Sequence, residues 1–363
     1  MRRLGWAVTL GLGALGCGSG AASSDELDVV VDTEGELAWA QYQANLELAA
    51  SYEARCQAEP SDRPRVLVTG FGRFQSKTIN ATGLMVSELL DALEYPMTAP
   101  PAAGEIDPPG PQLAVALETV TLETVGEVDV CAMVLPVFWD LASVLVLKEV
   151  EAFEPDFVMM NGVAGSEQPL WLELGAVNRA VKLSDGSDIL MPIEDGAPLI
   201  ADASADDMAR PNLASWEALD VAAEKAIDER ADERAGDKRF GDVLSGALFA
   251  GYPRDSNTYL CNNTTYVVGY VLDHPGTTVR LLEASHVRDG SEGGLDVELQ
   301  ADLAHVPRLF VHWPSSLAEG LEATGAEVMR ALLDAQLAAS LGGDEPTRGD
   351  NAIAELVPAG DTH

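Results

Sequence analysis

Tyr259-Leu260-Cys261-Asn262 puts a thiol where a helix begins. Ser256, Asn257 and Thr258 supply N-cap candidates just upstream, and the apolar run Tyr266-Val267-Val268 carries the helix onward. Backbone N–H groups at a helix N-terminus favour negative charge, so a thiol there is biased toward thiolate, the nucleophilic form. A lone cysteine is more often packing than chemistry, so its company matters. His312 closes the apolar strand Leu309-Phe310-Val311-His312, at the end where parallel sheets present catalytic groups. The plainer role for such a histidine is a hydrogen bond to a backbone carbonyl. Glu173 interrupts the apolar run Trp171-Leu172-Glu173-Leu174-Gly175-Ala176-Val177. A buried ionised glutamate needs a cationic or hydrogen-bonding partner, and an imidazolium is one; a solvent-facing strand edge is the alternative. Thiol, imidazole and carboxylate together suit nucleophilic acyl transfer, in which thiolate attacks, imidazole moves the proton and carboxylate steadies the cation and its tautomer.

The elements that must position these groups alternate. Val66–Val68, Leu113–Leu117, Val128–Val134, Phe157–Met160, Ala247–Ala250 and Leu309–His312 read as strands, and Trp171–Val181 as extended chain. Between them, helices are expected over Leu84–Leu93, Ala142–Ala152, Trp216–Ala235 and Leu260–Leu272. A C-terminal helix follows, with Leu321, Val328 and Leu332 on its apolar face. Such alternation predicts a three-layer α/β/α sandwich with a largely parallel central sheet. Pro100 to Pro111, with five prolines, reads as a surface excursion, and Gly186–Pro211 as an acidic loop. The organisation expected is a signal peptide over 1–16, a tether and helical preamble over 17–63, a catalytic domain over 64–341 and a flexible tail over 342–363.

Met1-Arg2-Arg3 followed by an apolar run to Leu15 is too short to span a bilayer. It leads into Ala14-Leu15-Gly16-Cys17, a layout that resembles a bacterial lipoprotein signal in which Cys17 is lipidated, although Ala14 stands where leucine is more usual. The alternative is an ordinary secretory signal cleaved near Ala21-Ala22. Either way the chain is expected to be exported, to the cell envelope as a lipoprotein or to the periplasm or medium. A net charge of −37 argues against nucleic acid and anionic membrane surfaces as partners, leaving a lipid anchor at Cys17 as the expected membrane contact. Beyond the leader the chain has Cys56, Cys131 and Cys261; in an oxidising compartment an odd count leaves at least one thiol unpaired. Cys131, inside a core strand, reads as inert. No pair among His274, His286, His305, His312 and His363 has zincin spacing and there is no CxxC, so neither a metal nor a cofactor is expected.

Four motifs together carry a family resemblance: Thr69-Gly70-Phe71-Gly72-Arg73-Phe74 with Ile79-Asn80; Glu173-x-x-Ala176-Val177-Asn178; Ser256-Asn257 with Tyr259-Leu260-Cys261-Asn262; and Phe310-Val311-His312-Trp313-Pro314. In order and context, over residues 66–314, they resemble the pyroglutamyl peptidase (pyrrolidone-carboxylate peptidase) family of cysteine peptidases. The resemblance implies a metal-free Cys-His-Glu triad that removes an N-terminal pyroglutamate from peptides. Cys261 would be the nucleophile, His312 the general base and then acid, and Glu173 the orienting carboxylate. Phe71 and Phe74 correspond to aromatic residues lining the family's pocket for the flat lactam ring, and Asn80 to an asparagine near it. The partner implied is a peptide with a blocked N-terminus, with assembly into identical subunits left open.

The departures are local. Arg73-Phe74-Gln75-Ser76 stands where the family has Pro-Phe-Gly-Gly, Ala81 follows Asn80 in place of proline, and Glu167 occupies a usual arginine position. The chain is also longer than typical members, with excursions near 97–112 and 183–240. Scaffold and triad are retained while the substrate pocket is altered. A thiol hydrolase with another amide substrate, or a non-catalytic surface lipoprotein that binds peptides, are the competing expectations.

Overall fold

The computed structural model describes residues 33–57, 60–165 and 167–350; the leader, the lipidation candidate Cys17 and residues 351–363 lie outside the described residues. The strand β1 (Arg65–Phe71) buries every residue after Arg65, as its unbroken apolar run requires of a parallel strand covered on both faces. Beside it lie β2 (Ala114–Leu122), β3 (Gly126–Leu135), β4 (Phe157–Val163), β5 (Gln168–Glu173), β6 (Leu244–Ala250) and β7 (Arg308–Trp313). Their order is β6-β5-β7-β4-β1-β3-β2. Neighbours in the β3-β1-β4-β7 block are parallel, as are β5 and β6, while β5 runs antiparallel to β7 and β2 antiparallel to β3. The sheet is thus largely parallel, with both flanks reversed.

Helices cover both faces, giving the expected α/β layers. On one side α1 (Thr33–Ser51), α3 (Leu141–Phe153) and α5 (Leu260–Asp273) contribute Ala49, Leu145, Phe153, Val267 and Val271 to a core that includes Phe310. On the other, α2 (Ala81–Ser87), α4 (Trp216–Arg230) and α6 (Glu322–Leu341) bury Met85, Leu219, Ile227, Val328 and Leu332 around Trp313. Each buried Leu, Val, Ile, Phe or Met side chain contributes about 1.5–3 kcal/mol of transfer free energy, so the two cores dominate cohesion. The helix expected over Leu84–Leu93 ends earlier, at Ser87. Leu89, Leu90 and Leu93 stay buried through turns, because burial needs an apolar side chain and not helical backbone.

Cys56 and Cys131 are joined by a disulfide with a sequence separation of 75 residues, which fastens the chain after α1 to β3. Cys131 is indeed a core residue, yet a bonded one, and Cys261 is free. Beside the disulfide the buried Glu149 carboxylate accepts from the backbone N–H groups of Arg55 and Cys56 at 2.8 and 2.9 Å and from the Tyr52 hydroxyl. Thr347–Arg348 pairs with Leu213–Ala214, which in turn meets the start of β7, so the chain returns to the sheet near its end. No helix among the described residues is long and apolar enough to cross a membrane.

Candidate active site

In β7 the pleat sends Phe310 and His312 to one face, and the antiparallel register sets them opposite Glu173 and Trp171 of β5. That face is the one α5 covers. His312 Nδ1 consequently sits 2.8 Å from Glu173 Oε1, with the two side chains 12% and 7% exposed. The ring also packs edge-on against Phe310, with centroids 5.0 Å apart. Because Nδ1 faces the carboxylate, Nε2 is left for the thiol, and His312 is hydrogen-bonded to Cys261. Burial opposes the imidazolium, but the Glu173 carboxylate and the Cys261 sulfur outweigh it and lift His312 to about 10.

Cys261 is the second residue of α5 and is partly exposed. The expected Ser/Asn/Thr cap is not what starts this helix: its N-cap is Tyr259, which makes no side-chain cap bond. Asp255–Asn257 instead forms a 3-10 turn, and the Thr258 hydroxyl donates back to Asp255 O at 2.7 Å. Thr258 thus commits its hydroxyl to that turn, and the first turn of α5 has no side-chain cap from Tyr259. Farther along, Thr264 and Thr265 return their hydroxyls to the Leu260 and Cys261 carbonyls, which lets polar residues sit in a buried helix.

The sheet leaves room for the thiol at one position. Gly162 of β4 is the register partner of His312, and a Cβ on it would come within 2.7 Å of Cys261 Sγ and 2.8 Å of the Phe310 ring. Any larger residue would push the Cys261 thiol away from the imidazole. Asparagines tie the surrounding elements together. Asn262 accepts from Val177 N at 2.8 Å and donates to the Val177 and Arg179 carbonyls, joining the Cys261 turn to the chain just past Glu173. Asn161 donates to Thr69 O at 2.8 Å and accepts from Trp313 Nε1 at 2.9 Å, locking the ends of β1, β4 and β7. Asn178 holds the chain at Leu199 and Ile200.

Cys261, His312 and Glu173 are therefore brought together from three elements. Phe71 is buried at the end of β1. Phe74 is part-buried and stands edge-on to Tyr259 with centroids 6.3 Å apart. Asn80 has a role of its own: its Oδ1 caps α2 by accepting from Thr82 N at 3.1 Å and from the Thr82 hydroxyl at 2.9 Å. Glu167 lies exposed in the bend before β5. Tyr259, two residues before Cys261, meets the Trp139 ring edge-on at 5.3 Å, and neither aromatic is assigned a role from the sequence alone. Their signal was position: Tyr259 two residues before the thiol, and Trp139 in the segment after β3, at the carboxyl edge where α/β sheets bind ligands.

Among the described residues, one grouping has a donor set that could suit a metal, Cys56, Cys131 and Glu149, within 4.8 Å of one another. Both sulfurs are already committed to the disulfide, so the set does not fit an ion. A groove of about 1270 Å³ between α4 and α6, lined by Trp216, Val221, Lys225 and Asp334, touches none of Cys261, His312 and Glu173.

No protein-family model matches the chain, and no curated protein matches it. Solved structures do. The chain is similar to pyroglutamyl peptidase I from Bacillus amyloliquefaciens, at 14% identity over 75% of this chain and 97% of that one, with a TM-score of 0.43. It is similar to the pyrrolidone carboxyl peptidase from Thermococcus litoralis, at 14% identity over 78% and 97%, TM-score 0.46. It is also similar to a mutant pyrrolidone carboxyl peptidase from the hyperthermophile Pyrococcus furiosus, at 17% identity over 76% and 99%, TM-score 0.44.

Proposed function

We propose that this chain is an exported cysteine peptidase that hydrolyses the amide bond after an N-terminal pyroglutamyl group. The observation that carries the proposal is the 2.8 Å His312–Glu173 contact beside a free thiol that only a glycine, Gly162, leaves room for. A thiolate–imidazolium pair is a competent acyl acceptor at neutral pH. Cys261 Sγ attacks the scissile carbonyl carbon, and the carbonyl electrons move to oxygen near the first-turn N–H groups of α5. As the C–N bond breaks, His312 gives its proton to the leaving amine, and a thioester remains. Water then attacks the thioester while His312 takes its proton, releasing the free acid and the thiolate. Glu173 stabilises the imidazolium throughout and keeps Nε2 toward the sulfur. Phe71 and Phe74, with Tyr259 and Trp139, supply flat apolar surface suited to a lactam ring.

The test is release of aminomethylcoumarin from pyroglutamyl-aminomethylcoumarin in mild reductant, with Cys261→Ser alongside. Turnover is expected, and a loss of at least about a thousandfold in the variant with unchanged thermal unfolding. Rapid iodoacetamide labelling of Cys261 without turnover would sink the pyroglutamyl assignment in favour of another amide substrate. Slow labelling as well would leave a peptide-binding surface protein. The Cys56–Cys131 disulfide supports export, since such bonds persist in oxidising compartments. For the lipid anchor at Cys17, radiolabelled palmitate should enter the wild type and not Cys17→Ala; label in neither would refute it.

A further inference from the structure

Arg73 stands in the loop that carries Phe74, and it is a buried residue, 1% exposed. All three guanidinium nitrogens are engaged. Nη2 pairs with Asp107 Oδ2, Nη1 donates to Gln75 O at 2.9 Å, and Nε donates to Thr98 Oγ1 at 3.2 Å. Asp107 and Thr98 belong to the proline-rich excursion between α2 and β2. The Gln75 carbonyl belongs to the tight turn closed by mutual Phe74–Lys77 backbone bonds, in which Gln75 holds a φ of 52°. Asp107 is gripped from its other side by the N-terminal helix: its N–H donates to Gln41 Oε1 at 2.7 Å and its carbonyl accepts from Gln41 Nε2 at 2.9 Å. Gln41 is itself fully buried on α1.

A buried ion pair gives little net stability over an apolar pair of similar volume, because desolvation offsets its attraction. What it does impose is geometry, since a planar guanidinium accepts its partners in few arrangements. Here the arrangement is imposed on the turn that presents Phe74 to Tyr259, two residues before Cys261. Resting on the reading of a Cys261 peptidase with Phe74 in its pocket, we infer that the Gln41–Asp107–Arg73 chain is a positioning device. Through it the N-terminal helix and the excursion fix Phe74 and thereby set which substrates the pocket admits. Arg73 is a positioning residue and touches no reacting atom. The segment before β1 and the excursion are then parts of the specificity machinery.

The test replaces both charges, Arg73→Met with Asp107→Leu, so that neither is left buried alone. With the full chain and pyroglutamyl-aminomethylcoumarin, KM should rise about tenfold while kcat stays within about twofold. Iodoacetamide labelling of Cys261 should be unchanged. Amide exchange at Phe74 and Lys77 should quicken about tenfold, a readout independent of turnover. Gln41→Met, which leaves the ion pair intact, should move KM and exchange in the same direction by less, and it carries the test should the double variant not fold. Unchanged KM and unchanged exchange in a folded variant would overturn the proposal, as would a fall in kcat and labelling alongside the rise in KM. Faster exchange in a protein whose wild type does not turn over the substrate would uphold the clamp and count against the pyroglutamyl reading instead.

Discussion

The two ends of β7 and α5 use the same kind of contact for different ends. At the carboxyl edge of the sheet, His312 pairs with Glu173 beside Cys261 at the start of α5. At the opposite edge, Arg308 opens β7 and pairs with Asp273, the last residue of α5, which Arg210 also approaches at 3.2 Å. Both pairs are buried, though the lower one is sealed more completely, with Arg308 and Asp273 2% and 4% exposed. The cation differs in kind. A guanidinium stays charged at any working pH, so the Arg308–Asp273 pair can only clamp strand to helix. An imidazolium can give up its proton, so the His312–Glu173 pair can do chemistry. Burial and an opposite charge are common to both; a titratable cation next to a free thiol distinguishes the site from the strut.

The largest effect should come from breaking the strut. Arg308→Met leaves Asp273 buried opposite Arg210 alone and should cost about 3–5 kcal/mol in urea unfolding, with the pH profile of any turnover by the remaining folded protein unchanged. A shifted pH profile with little loss of stability would erase the distinction between the ends.

Glu173→Gln should come next, lowering kcat/KM about a hundredfold. The wild type should hold its activity until the pH nears about 10, where His312 loses its proton. In the variant that alkaline limb should fall toward the ordinary histidine value of about 6.5. The sign for stability follows. The folded-state pKa of His312 is raised, so its contribution is fully present below about 6.5 and is lost as pH climbs through about 10. Denaturant midpoints should therefore decline from neutral to alkaline pH in the wild type and less in Glu173→Gln. An alkaline limb that does not move would remove Glu173 from its orienting role.

The smallest effect concerns a carboxyl with neutral partners. Asp185 is buried and accepts from the Ser187 N–H and hydroxyl, and burial lifts it to about 7. A raised carboxyl pKa means that its contribution is present below about 3.9 and is lost as pH rises through 7. Asp185→Asn should raise Tm more at pH 8 than at pH 5, by about 2 °C. An equal change at both values would mean that Asp185 does not titrate in the fold.

Much of the scaffold was readable, because a strand buried on both faces must be an unbroken apolar run and an amphipathic helix must repeat its apolar face. Leu309–His312 and Leu260–Leu272 were recognisable on those grounds, and the observed elements extend them by only a residue or so at either end. The lone carboxylate in an apolar run similarly marked Glu173 as needing a partner. The reversed direction of β5 was not readable, because side-chain alternation is identical for either strand direction. Nor was the cap of α5, since Ser256, Asn257 and Thr258 are equally suited to the 3-10 turn they occupy. Arg73 illustrates the limit most sharply. Its sequence context marks a polar substitution in a loop, while its partner Asp107 lies 34 residues away and Gln41, the next link, lies 66 residues from Asp107.

By itself the sequence determined the candidate thiol, imidazole and carboxylate, the alternating elements that carry them and the ends at which they stand, because periodicity and chemical type are local properties. Tertiary structure alone decided which carboxylate meets which cation, which glycine makes room for the thiol, and which distant residues hold the Phe74 loop. Those outcomes depend on strand register and on contacts between segments far apart in the chain, and neither is encoded in any one segment.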